Sequence, residues 1–215
     1  MSEKRVAKEF DAKYFEDLKH GPSEWHQLIR NEHDLIMQLT PPRRDERILD
    51  VGCGKGRLGL FLLSQQPGIE MVFSDVTPET KKYLDGLTFV ECSMTSMPFP
   101  DEYFDKIYCM HVIAHFAEGE QAIREAFRIL KKGGTLMILT PNKLFVSIMR
   151  IASFLRFIPP FKFDSTAKWL YNKHSLRKLL EICNWTSISQ SYFQKPPRQL
   201  PIEQLRAKLI AVAQK

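Results

Sequence analysis

Hydrophobic positions along the 215-residue chain recur with two different periods. Over residues 1–40 the spacing is helical: Val6, Phe10, Tyr14 and Leu18 come about one turn apart, and Trp25, Leu28, Ile29, Leu35, Ile36 and Leu39 continue the pattern. Gly21-Pro22 divides this region, Ser23 can cap its second piece, and Pro41-Pro42-Arg43-Arg44 leads out as a polar connector. Short, near-continuous apolar runs then alternate with helical stretches. Strands are predicted over Arg47–Val51, Glu70–Ser74, Leu87–Glu91, Phe104–Met110 and Thr135–Thr140. Helices are predicted over Gly56–Ser64, Pro78–Leu84 and Glu118–Leu130, the last closed by Lys131-Lys132-Gly133-Gly134. Such alternation makes an α/β domain: a doubly wound, mostly parallel sheet of about seven strands, with helices on both faces.

From Lys143 onward the pattern changes. As a helix, residues 143–161 place Leu144, Ile148, Ile151, Leu155 and Ile158 on one stripe, with Lys143, Ser147 and Arg150 roughly opposite, and Pro159-Pro160 end it. About fifteen helical residues span ~22 Å, short of the ~30 Å hydrocarbon core of a bilayer, and two arginines lie inside, so this segment does not cross a membrane. A helix over Ser175–Ile182, a strand pair or hairpin arm over Trp185–Tyr192 and a terminal amphipathic helix over Ile202–Ala213 complete the reading.

The densest chemical signal lies in Ile48–Leu63: a buried strand ending in an acid, a turn with glycines at 52, 54 and 56, and an apolar helix. Glycine permits a tight turn and close approach to a ligand because no Cβ stands in the way. The helix start adds unpaired N–H groups and a positive dipole end for an anionic group. A dinucleotide loop has its third glycine three places after the second. That place holds Arg57, and the third glycine comes one residue early, which disfavours a dehydrogenase. A ribose-bearing cofactor also needs an acid at the end of the second strand. Asp75 closes Met71-Val72-Phe73-Ser74 there, 19 residues past Gly56, and its carboxylate can accept from both ribose hydroxyls. The other reading of Asp75 is a turn-starting residue before Thr77-Pro78.

The pattern Asp50-x-Gly52-x-Gly54-x-Gly56 resembles the first motif of class I S-adenosylmethionine-dependent methyltransferases. Val90–Met94, Met97–Asp101 and Phe104-Asp105 resemble the third-strand segment of the ubiquinone- and menaquinone-biosynthesis-type members. Ala122–Gly134 with Leu139–Asn142, and later Tyr171–Trp185, are similar to that group as well. The resemblance runs over residues 5–190 and carries no signature of a particular substrate. It implies a Rossmann-like fold and S-adenosyl-L-methionine as cofactor, bound by Tyr14, Asp50, Gly52, Cys53, Gly54, Gly56, Arg57, Asp75, Val76, Ser93, Met94 and Met110. Tyr14 lies in a segment that caps the cofactor in relatives; a core aromatic is its other reading. Asp50 by resemblance helps hold the methionine amino group, and a helix-dipole partner is the alternative. Ser93 departs from the family, which carries there the acid that binds the adenine amino group; a hydroxyl can still accept, and Met94 can lie on the ring.

His111 and His115 follow the fourth strand, where open α/β sheets face the ligand crevice. Relatives that use a metal carry acids in this segment. Here His111 and Ala114 occupy those places, so no metal is expected. Either histidine can serve as general base if the acceptor must lose a proton; each can equally be a histidine satisfied by backbone groups. The helix beginning at Leu144 stands where the family places substrate-facing insertions. It reads as a lid, as a surface helix lying on a membrane, or as a helix packing its stripe on the domain.

One domain over residues 1–215 is therefore expected: a helical cap over 1–44, a cofactor-binding core over 45–142, a helical insertion or lid over 143–170, and C-terminal helices and last strands over 171–215. Charge divides along the same lines. Residues 1–44 hold 8 basic and 8 acidic side chains, residues 45–142 hold 10 and 14, and residues 143–215 hold 13 and 3. The basic last third points to an anionic partner or a membrane surface, or is a solvated face. Four scattered cysteines without metal spacing, and no N-terminal signal peptide, read as reduced thiols in a cytoplasmic protein, peripheral to a membrane if the basic third makes contact.

The expected function is methyl transfer from S-adenosyl-L-methionine to a small-molecule acceptor of apolar or lipid-like character. Nucleic-acid methylation is disfavoured. The Asn/Asp-Pro-Pro-aromatic run is absent after the fourth strand, where Met110-His111-Val112 stands, and no cysteine follows a proline. A non-catalytic cofactor-binding or membrane-surface accessory protein is the reading from another class.

Overall fold

The structure, a computed structural model, describes residues 23–157, 159–160, 164–193 and 207–215. Helix α1 (Ser23–Leu39) precedes strand β1 (Arg47–Val51), helix α2 (Arg57–Gln65) and strand β2 (Glu70–Asp75). A 3-10 turn over Pro78–Tyr83 leads to β3 (Thr88–Glu91) and β4 (Phe104–Met110). Then come α3 (Gly119–Ile129), β5 (Leu130–Pro141), α4 (Lys143–Phe154), α5 (Lys173–Leu180), β6 (Ser187–Phe193) and β7 (Lys208–Gln214).

The seven strands form one sheet in the order β3-β2-β1-β4-β5-β7-β6. Neighbours from β3 to β5 run parallel, and β7 is antiparallel to both β5 and β6. Parallel strands covered on both faces need no polar alternation. Accordingly Ile48, Leu49 and Ile107 are fully buried although they alternate between faces. One face packs Leu49, Ile107 and Ile138 against Ala122, Ile123 and Ala126 of α3 and Leu176 of α5. The other packs Ile48, Phe73 and Tyr108 against Ile36 of α1 and Leu58 and Leu62 of α2. From β1 the chain winds outward through β2 and β3, and from β4 it winds the opposite way. The sheet therefore opens a crevice between the carboxyl ends of β1 and β4.

Several expected elements differ. Residues 208–213 of the expected terminal helix belong to β7, and its residues 202–206 lie outside the described residues. Leu209-Ile210-Ala211-Val212-Ala213 is a continuous apolar run, which a buried strand between β5 and β6 satisfies as well as a helix does. The residues after 170 thus give one described helix and two strands. Residues 131–134 do not close α3 but belong to β5, where the register against β4 jumps between Leu130 and Thr135. The helix expected over Pro78–Leu84 is a tighter 3-10 turn. Helix α4 stops at Phe154, ahead of the prolines, because Arg156 adopts a left-handed φ of 60° that ends the helical path. The expected helix before Gly21 lies outside the described residues.

Candidate active site

The crevice holds a cleft of about 270 Å³ built around the turn after β1. Gly52, Gly54 and Gly56 have φ of 65°, 51° and 70°, in the left-handed region where a Cβ is strained. A Cβ on Gly52 would overlap the Val112 side chain, and one on Gly56 would overlap Leu84. Gly56 is the N-cap of α2, and the turn is pinned to the next strand by Cys53 N–H donating to Ser74 O at 2.9 Å.

Two buried carboxylates flank this turn. Asp50, 3% exposed, accepts from the Gly59 N–H at 3.2 Å. Burial pushes its carboxyl up to about 7, against the pull of that hydrogen bond, so the anionic form is costly in the cleft wall and a cationic group beside it would stabilise it. Asp75 accepts from Gly54 N–H at 3.0 Å through Oδ2 and from Thr77 N–H at 2.9 Å through Oδ1. Burial raises its carboxyl too, with those hydrogen bonds opposing. Two carboxylates in the wall of one cleft fit a ligand bearing a cationic group and vicinal hydroxyls.

Across the crevice His111 has φ 63° and continues the ladder, its N–H donating to Leu139 O at 2.7 Å. Its Nε2 lies 3.2 Å from Glu32 of α1, and Glu32 is itself paired with Lys208 at the start of β7. Burial lowers His111 to about 4, with Asp164 opposing. Lys208 balances the Glu32 charge, so Glu32 offers the ring a hydrogen-bond acceptor more than a net negative field. A neutral His111 donating from Nε2 keeps its lone pair on Nδ1. His115 is engaged differently. Thr166 Oγ1 donates to Asp164 at 2.6 Å and must accept from His115 Nδ1 at 3.1 Å, and the His115 ring also bonds the His111 backbone. Burial lowers His115 as well.

Of the residues singled out from the sequence, Asp50, Gly52, Cys53, Gly54, Arg57, Asp75, Val76, Met94, Met110, His111 and His115 line the cleft. Gly56 does not line it and acts through the turn. Ser93 is also absent from the lining: it is 5% exposed, its hydroxyl is shared with Thr95 Oγ1 at 2.8 Å, and it takes the Thr95 N–H at 3.2 Å. The local turn bridging Ser93 to Ser96 draws the hydroxyl inward, and Cys92 and Met94 face the cleft on either side of it. Tyr14 lies outside the described residues. Sequence reading missed Glu32, His33, Val51, Lys55, Leu58, Cys92, Val112, Phe116 and Asp164 in the lining. Val112 and Phe116 were reachable by their place after the fourth strand. Glu32 and Asp164 arrive by tertiary contact and carried no local signal. Among the described residues no group of three or more His, Cys, Asp or Glu is placed to hold a metal.

Residues 49–138 match the family model described as a methyltransferase domain. The chain is 35% identical over 118 residues to the demethylmenaquinone methyltransferase of Thermus thermophilus, covering 51% of this chain and 52% of that protein. It is 29% identical over 150 residues to a ubiquinone/menaquinone biosynthesis C-methyltransferase of Cereibacter sphaeroides, covering 65% and 57%. The chain thus spans about half the length of the curated relatives it matches. In fold it is similar to a SAM dependent methyltransferase from Archaeoglobus fulgidus, with a TM-score of 0.72 over 95% of this chain and all of that one, at 19% identity. A glycine turn between two buried acids, on this sheet and with this sequence kinship, makes residues 49–138 similar to the methyltransferase domains of these relatives.

Proposed function

We propose that the protein transfers a methyl group from S-adenosylmethionine to a small acceptor of apolar, lipid-like character, working at a membrane surface reached through its basic C-terminal third. The observation that carries the first part is the pairing of Asp50 and Asp75 on either side of one left-handed glycine turn. Asp50 would hold the methionine amino group, and Asp75 the ribose hydroxyls. Cys92 and Met94 would flank the adenine. When bound, the cofactor supplies an electrophilic methyl group on a sulfonium sulfur.

The protein's own contribution to such a displacement is alignment and exclusion of water. Val112, Phe116 and Met110 give the far wall of the cleft an apolar surface, which suits an acceptor with few polar groups. His111, kept neutral by burial and oriented by Glu32, is the base for an acceptor that must lose a proton. His115, tied to Thr166 and to the His111 backbone, positions that segment. Kinship to quinone-biosynthesis methyltransferases supports an aromatic acceptor with an apolar tail.

The test is transfer of labelled methyl from S-adenosylmethionine to a panel of hydroxylated aromatics with and without a prenyl tail. Label in the tailed compounds, with little in the tailless ones, is the expected result. Binding of cofactor with no transfer to any acceptor class would favour the accessory-protein reading.

A further inference from the structure

Six large apolar side chains between Leu144 and Phe157 stand exposed, while elsewhere among the described residues such exposure is limited to Leu39 and Leu60. Phe154 and Phe157 are 86% and 80% exposed. Leu144, Ile148, Ile151 and Leu155 recur within a ~60° arc of the helical path. Val146, 1% exposed, lies roughly opposite and anchors α4 to the domain. The stripe therefore does not pack on the core; it faces outward. Lys143 and Arg150, both exposed, fall ~100–120° round the helix to one side of it, and the exposed Arg156 follows at its end.

We infer that this face of α4, continued by Arg156 and Phe157, is a docking surface for an anionic lipid bilayer. The inference deepens the membrane contact proposed above and rests on that reading. An outward apolar stripe edged by long basic side chains is the arrangement that lies in the plane of a membrane interface, with the aromatic rings below the headgroups and the cations among them. Charge selects the occupant. Over residues 143–157, the helix and its end, there are basic residues at 143, 150 and 156 and no acidic one. A second copy on the same face would oppose like-charged rims across a two-fold axis. A bilayer of anionic lipid meets both the stripe and its rim. The position also serves an apolar acceptor: Asp164 lines the cleft and follows Phe157 by seven residues, a reach of ~25 Å at most. Docking there would hold the cleft within that reach of the interface in which such an acceptor dissolves.

The test is co-sedimentation of the full chain with vesicles of phosphatidylcholine plus phosphatidylglycerol, and with pure phosphatidylcholine. The expected result is salt-sensitive binding to the anionic vesicles, at least ~10-fold tighter than to the zwitterionic ones. The double variant Phe154→Ser/Phe157→Ser should weaken anionic binding at least ~10-fold, and Arg150→Glu/Arg156→Glu should do the same. These side chains are exposed, so cofactor affinity and the far-ultraviolet spectrum should stay as in the parent. No vesicle binding, or binding that ignores the phenylalanines, overturns the inference. So does a concentration-dependent dimer that the phenylalanine variant dissolves. Because cofactor affinity is read alongside, failure of docking remains distinct from failure of the methyltransferase reading.

Discussion

Glu32 and His111 meet at 3.2 Å although 79 residues of chain separate them. The contact joins α1 to the end of β4, and Lys208 joins the same carboxylate from the opposite end of the chain. His111 sits at φ 63°, a conformation that asparagine tolerates well. His111→Asn should therefore remove the imidazole with little strain. For an acceptor that must lose a proton, kcat should fall on the order of 100-fold while the cofactor dissociation constant stays within ~3-fold. Steady-state kinetics with isothermal titration measures both; unchanged kcat removes His111 as the base.

Glu32→Gln keeps the shape of the side chain but leaves Lys208 without its carboxylate. Lys208 is already lowered to about 8 by burial, so it is close to shedding its proton. The variant should lose ~2–3 kcal/mol near neutral pH and less above pH 8, where an unpartnered lysine is neutral. Urea unfolding at both pH values reads the difference. A loss that is equal at the two pH values contradicts the pairing.

Asp50 couples stability to function in opposite directions. Its folded value of about 7 lies above its unfolded value of 3.8, so between them the native state binds more protons than the unfolded one. The Asp50 contribution to stability is thus present at low pH and is lost as pH climbs from about 4 to 7, by on the order of 4 kcal/mol. Asp50→Asn escapes this penalty. At pH 8 the ligand-free variant should melt higher than the parent, yet bind cofactor at least ~10-fold more weakly for want of the anion. Scanning calorimetry and titration calorimetry on the same samples decide it.

The turn leaves a further mark. Gly52→Ala puts a methyl group at positive φ and into Val112, and should cost ~1–3 kcal/mol and most of the cofactor affinity. Adding Val112→Ala removes the collision but not the backbone strain, so it should restore part of the stability. Full restoration by the second substitution means the backbone conformation was not the constraint.

Substitutions at Asp75 and Ser93 test the proposed ribose contact and the expected adenine contact separately. Asp75→Ala should weaken binding more than ~10-fold, about 1.4 kcal/mol or more. Ser93→Ala should leave affinity within ~2-fold, since its hydroxyl is engaged with Thr95 inside the turn. A large loss at Ser93 restores it to the adenine site.

What the sequence made legible was whatever is local. Arg47–Val51 and Phe104–Met110 are apolar runs whose bounds follow from burial on both faces, and the structure keeps both ranges. The glycine turn is equally local, because its conformation is set by three residues without a Cβ. Glu32 reads in isolation as a polar position on an amphipathic helix. Its burial depends on Lys208 and His111, which no spacing within α1 reveals. Asp164 likewise gains its place from Thr166 and His115. The final strand was misread because an apolar run fits a helix stripe or a doubly covered strand alike. Of the expected stripe, Leu144, Ile148, Ile151 and Leu155 share one exposed face and Ile158 lies outside the described residues, while the direction that face takes is a property of the packed domain.

The most direct measurement is thermal unfolding with S-adenosylmethionine, S-adenosylhomocysteine and NAD side by side. A ligand at 100 times its dissociation constant adds ~2.7 kcal/mol, roughly 5–10 °C for a chain of this length. The structure predicts a rise with the two sulfur compounds, abolished in Asp75→Ala, and none with NAD. A rise with NAD alone, or no rise with any of the three, would contradict it.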